Sequence, residues 1–163
     1  MFSADENVFP NNIVEVVALR ADLLDPDVTV LKRPLRNTDP VQSIGVFASQ
    51  WIPNDDSKEF LGQAYATQPT LSTYRVAIQA FVKDQDEMRG LNTHAAMSRV
   101  LRNMLYTDQP LRVALSSLSS TLGATTEQSQ RWGISQQRFF SNELSGNWLY
   151  LSILEFWLET ETR

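Results

Sequence analysis

The sequence predicts one α+β domain over residues 1–163: a mostly antiparallel or mixed sheet with a long C-terminal hairpin, two main helices packed on one face, and a long arm-like loop. Three observations predict it. Apolar residues recur at helical spacing near the N-terminus and again after residue 87. Tyr74, Val76, Ile78, Ala80 and Val82 alternate with Thr73, Arg75, Ala77, Gln79 and Lys83, which places the first set on one face of a strand. The last third, Thr126 to Thr160, reads as two long strands joined by a tight turn at Ser145-Gly146-Asn147.

In order along the chain, Asn11 or Asn12 caps a helix to about Leu24, with Ile13, Val17, Ala21 and Leu24 on its apolar stripe and Val16 and Leu23 widening it. Asp25-Pro26 stops that helix. Val28 to Leu31 forms a short strand, Pro34 and Pro40 bracket a turn-rich connection, and Val41 to Ser49 forms a second strand.

Residues 50–69 keep neither period. They carry Trp51, Ile52, Phe60, Leu61 and Tyr65, and read either as a loop folded over one end of the core or as an arm that docks on a partner. After the alternating strand, Asp84 and Glu87 have capping-box spacing, with Asp in place of Ser or Thr. The helix from Glu87 to Tyr106 puts Met97, Val100, Leu101, Met104 and Leu105 on one face, against the sheet, and Arg89, Asn92, Thr93, Arg99 and Asn103 opposite. Leu111, Leu115, Leu118 and Leu122 then mark a short helix of lower propensity.

In the hairpin, Trp132, Ile134 and Phe140 share a face of the first strand, and Trp148, Tyr150, Leu154, Phe156 and Leu158 a face of the second. Leu149, Leu151, Ile153 and Trp157 make the second strand apolar on its other face too, as in a central strand or one covered by another subunit. Strands of about twelve residues span roughly 40 Å, beyond the usual length.

Composition narrows the function. The chain is 42% hydrophobic and 20% charged, which suits a folded domain. It has no cysteine, so disulfides, thiolate nucleophiles and cysteine-ligated zinc are excluded. Nineteen acidic against 14 basic residues give a net charge of −5, with no basic run, which disfavours a grip on nucleic acid. The start, Met1-Phe-Ser-Ala-Asp-Glu-Asn, lacks signal-peptide texture, and no apolar run is long enough to span a bilayer, so a cytosolic product with no membrane contact is expected.

Chemical motifs are sparse. The one histidine, His94, shares a stripe with Met97, Leu101 and Met104 and reads as a hydrogen-bonded packing residue. Carboxylates gather at Asp25 and Asp27, at Asp55 and Asp56, and at Asp84, Asp86 and Glu87; such spacing can hold Mg²⁺, but turns and helix ends explain the first and third groups as well. Phosphate-binding glycine loops, G-x-S-x-G and H-E-x-x-H do not occur, and no cofactor or enzymatic activity is expected.

The order of elements, with Arg75-Val-Ala-Ile-Gln-Ala-Phe-Val, Met97-Ser-Arg-Val-Leu-Arg-Asn-Met-Leu, Arg131-Trp-Gly-Ile and Trp148-Leu-Tyr-Leu-Ser-Ile-Leu-Glu-Phe, resembles the tail terminator proteins of long-tailed bacteriophages from about residue 11 to 160. The resemblance implies a structural virion protein, assembled in the host cytoplasm. It would form a homo-oligomeric, hexameric ring that caps the tail tube protein, ends tube polymerisation and meets the head-tail connector or stopper protein. DNA would pass through the lumen without specific binding. On this reading Trp51, Ile52, Phe60, Leu61, Tyr65, Leu144, Asn147 and Trp148 carry subunit or tube contacts, and Asp84, Asp86 and Glu87 line an acidic lumen. A head-completion or stopper protein of the neck is the nearest alternative, and a small metal-dependent enzyme a more distant one.

Overall fold

The computed structural model describes residues 8–54, 70–118 and 131–162. Its elements run α1 (Val8–Asp22), β1 (Thr29–Leu31), β2 (Gln42–Asn54), β3 (Thr70–Asp84), α2 (Glu87–Thr107), α3 (Gln109–Leu118), β4 (Arg131–Leu144) and β5 (Asn147–Thr162). The strands form one five-stranded sheet in the order β1-β2-β3-β5-β4. The pairing of β1 with β2 is parallel and the others are antiparallel, so the fold is α+β with a mixed sheet.

The two long antiparallel pairings put alternate side chains on opposite faces. Ile44, Val46, Val76, Ile78, Leu154 and Phe156 occupy the same face and bury against Ile13 and Val17 of α1, Leu101 and Leu105 of α2, and Leu111 and Leu115 of α3. Burying side chains of this size contributes about 1.5–3 kcal/mol each. This shared core places all three helices on one side of the sheet.

α1 starts at Val8, before the expected Asn11 or Asn12 cap, because Pro10 falls in the first turn, where its missing N–H costs nothing. The helix ends at Asp22, so Leu23 and Leu24 lie beyond its last turn and are exposed instead of continuing the apolar stripe. The core face is Ile13, Val14, Val17, Ala18 and Ala21. Arg20 donates to the Asp108 carboxylate at 3.0 and 3.1 Å, tying α1 to the N-terminus of α3.

β2 runs to Asn54, five residues past the expected end at Ser49. A bulge between Ala48 and Gln50 breaks the alternation there, and Pro53 adds a strand-disfavouring residue, yet the ladder resumes as Trp51↔Tyr74 and Ile52↔Thr73. Trp51 and Ile52 are therefore strand residues and not part of a loop.

α2 starts where expected but is capped differently. Asp86 is the N-cap, its carboxylate accepting from the Arg89 N–H at 2.8 Å, while Asp84 accepts from the Asp86 N–H at 2.8 Å. On α2, Leu101, Met104 and Leu105 are buried as expected, whereas Val100 is exposed and Met97 half-buried at the margin of the core.

The closing hairpin turns through Ser145 and Gly146, with φ values of 52° and 81°. Two positive φ values in a two-residue loop match the twist of paired strands, and glycine takes the second without strain. Asn147, expected in the turn, begins β5. β5 lies between β3 and β4, so its two apolar faces belong to an interior strand, as its composition predicts. A register shift between Ile134 and Gln136 changes the parity of β4. Consequently Phe139, opposite Ser152, joins the face of Phe156, and Phe140, opposite Leu151, lies on the other face from Trp132 and Ile134.

Candidate functional site

Four surfaces stand out: the two ends of the sheet, the face away from the helices, and a groove between α2 and β4. β3, at 15 residues, spans roughly 50 Å at ~3.3 Å per residue. At one of its ends Asp84 pairs with Trp148, which also pairs with Glu143, and the turn follows directly. The expected contact residues Leu144, Asn147 and Trp148 thus meet the expected acidic group Asp84, Asp86 and Glu87 at a single end. Leu144 is exposed, and Asn147 and Trp148 are half-buried. Trp51 and Ile52 pair near the opposite end of β3. Phe60, Leu61, Tyr65, Asp55 and Asp56 lie outside the described residues.

The acidic end is tightly bonded. Both Asp84 oxygens accept from the Arg89 guanidinium, at 2.7 and 2.6 Å, and this bidentate pair, with the Asp86 N–H, holds the Asp84 carboxyl down at about 2. The same contact raises Arg89. Tyr150 donates its hydroxyl to the Glu87 carbonyl at 2.8 Å; burial, then the nearby carboxylates of Glu87, Asp86 and Asp84, pushes its own ionisation up. Asp84 and Asp86 therefore secure the strand-to-helix corner, while Asp86 and Glu87 remain exposed to solvent. At the other acidic group, Asp25 accepts from the Asp27 N–H at 2.9 Å in a tight turn.

On the helix-free face, Phe47, Leu151, Ile153 and Trp157 are half-buried and Phe140 is exposed. Arg75 reaches Glu155 at 3.5 Å among them. The connection between β1 and β2 folds over one part of this face: Arg33 grips Asp39 at 2.5 and 3.0 Å, and the Leu35 N–H donates to Gln79 at 2.7 Å. A cavity of about 170 Å³ remains between Leu35, Phe81, Phe140 and Leu151.

The groove between α2 and β4 has a volume of about 490 Å³. Leu91, Ala95, Arg99 and Arg102 line its α2 side and Phe139 its β4 side. Phe139 is 52% exposed. On the floor, Ser98 lies 3.0 Å from Ser152 and 3.5 Å from Nε2 of His94, whose ring sits 5.3 Å from that of Phe139. His94 is buried, and desolvation lowers its ionisation despite a hydrogen bond with the Ala80 backbone, so the imidazole is neutral at pH 7. Its neighbours are two hydroxyls, aromatic rings and a backbone group, which is the setting of a packing residue.

Sequence reasoning did not single out this groove. Arg99 registered only as part of the polar face of α2, and Phe139 was hidden by the parity change in β4. Among the described residues neither Arg99 nor Arg102 has a charged partner, no group of three metal-ligating side chains converges, and no helix is long and apolar enough to cross a membrane. No protein-family model matches the chain, and no curated protein matches it.

Proposed function

We propose that the chain is a structural virion subunit, a phage tail terminator that assembles as a hexameric ring, ends tail-tube polymerisation and joins the tail to the head connector. The observation that carries the reading is the division of the sheet. One face is packed under helices, the other keeps half-buried apolar residues, and those expected contact residues that are described sit towards opposite ends of strands roughly 50 Å long. A ring subunit needs just such a layout: lateral surfaces for its neighbours and two ends for two different partners. The tube protein and the connector or stopper protein would take those ends. The exposed carboxylates of Asp86 and Glu87 would repel passing DNA if they face the lumen.

The deciding experiment images particles made without this protein. Tails of uncontrolled, excessive length support the terminator reading. Tubes of normal length beside heads that leak DNA move the protein to the stopper position, and normal infectious particles overturn a neck role altogether.

A further inference from the structure

The groove between α2 and β4 has a chemical counterpart on the far side of the same molecule. α1 packs its core face, Ile13 to Ala21, into the domain and turns Leu19 outward, 62% exposed; Leu23, in the turn that follows the helix, is 64% exposed. Asp22 lies between the two leucines in sequence and Asp27 four residues after Leu23; both are exposed, and neither carboxylate has a partner among the described residues. The corner is therefore apolar and acidic. The groove is apolar and basic, with Leu91 and Phe139 beside the unpaired Arg99 and Arg102.

The shapes are compatible as well. Leu91, Ala95, Arg99 and Arg102 recur along about three turns of α2, giving a trough roughly 16 Å long. That is room for the last turn of α1 carrying Leu19 and for the turn residue Leu23 just after it, two apolar anchors laid in one groove. Charges of opposite sign beside the apolar contact would fix register and exclude wrong pairings.

One copy cannot make this contact with itself. α1 packs at the β1-β2 side of the sheet, and the groove lies at the β4 edge, at the other end of the strand order.

We infer that the Leu19/Leu23 corner of one copy docks into the Leu91/Phe139 groove of the next, with Asp22 and Asp27 facing Arg99 and Arg102. The contact is heterologous, so repeating it builds a chain of copies that closes into a ring when the rotation permits. The inference rests on the ring reading above and names the two surfaces that mate.

Two charge-reversed variants test it. Arg99→Glu with Arg102→Glu makes the groove acidic, and Asp22→Arg with Asp27→Arg makes the corner basic. Each alone should fold, by circular dichroism, yet need ~100-fold more protein to assemble, alone or on purified tail tubes. Mixed in equal amounts they should assemble again, because each corner then meets an oppositely charged groove. Assembly of either variant at the wild-type concentration, or no rescue by mixing, overturns the inference and leaves the ring reading intact. Failure of the wild type to form oligomers under both conditions overturns both. The cysteine-free background gives a second readout. Leu23→Cys with Leu91→Cys should yield a ladder of disulfide-linked multimers under oxidation and each single variant none; monomers only would overturn the docking.

Discussion

Phe156 and Trp157 are neighbours on β5 and serve opposite faces. Phe156 is fully buried under the helices, while Trp157 is half-buried on the face that no described helix covers. The comparison shows how one strand divides its labour: the helix side supplies the folding energy, and the other side keeps apolar area that the monomer leaves partly wet. The sharpest way to break this division is to truncate both residues. Phe156→Ala should cost about 3–5 kcal/mol, because it opens a cavity between Val76 and the helical layer. Trp157→Ala should cost markedly less in urea unfolding and instead weaken assembly. Equal losses of stability would remove the distinction between the faces.

Two glycines sharpen the same contrast. Gly90 opens α2 onto the helix face, where an added Cβ would lie 2.8 Å from the Tyr150 ring and 3.0 Å from the Asp84 Cβ. Gly45 looks onto the other face, where a Cβ would lie 2.8 Å from the Arg33 carbonyl and from Leu35. Both alanine variants overpack, at a cost of about 1–3 kcal/mol. At Gly90 the gain in helix propensity, about 1 kcal/mol, offsets part of it. At Gly45 the connection over the sheet must lift, breaking the bond from the Leu35 N–H to Gln79. Gly45→Ala should thus be the more destabilising, and it should expose the Leu35 amide to hydrogen exchange. Unchanged protection at Leu35 would show that the covering connection yields without lifting.

The sequence makes these two faces legible in β3 and β5, where alternation runs unbroken over long strands. It hides them where a single residue changes the count. The bulge in β2 makes Gln50 to Asn54 look like loop, and the register shift in β4 exchanges Phe139 and Phe140 between faces. The early stop of α1 at Asp22 turns Leu23 from a core residue into a surface one. The groove is illegible for a different reason. Arg99 and Arg102 look like an ordinary solvated helix face until β4, some 40 residues on, is placed beside them, and no local period encodes that neighbour.

The smallest expected effect distinguishes the ion pairs of the two faces. Arg75 and Glu155 approach to 3.5 Å on the helix-free face, whereas Asp84 and Arg89 make two bonds of 2.6 and 2.7 Å at the end of the helix face. The second arrangement pulls its carboxyl down, to about 2. The folded state therefore holds fewer Asp84 protons than the unfolded state between that value and the ordinary 3.8. The stabilisation from Asp84 is full above pH ~4 and is lost as pH falls through about 2. Because Arg89 is solvent-exposed, the effect should be modest and weaken in salt. In urea melts, Asp84→Asn should lie below wild type by a constant amount from pH 7 to pH 5, and the two should converge as the pH approaches 2. A gap that persists unchanged at pH 2 would show that the charge of Asp84 is not the source of its stabilisation, since amide and neutral acid can both accept from the Asp86 N–H.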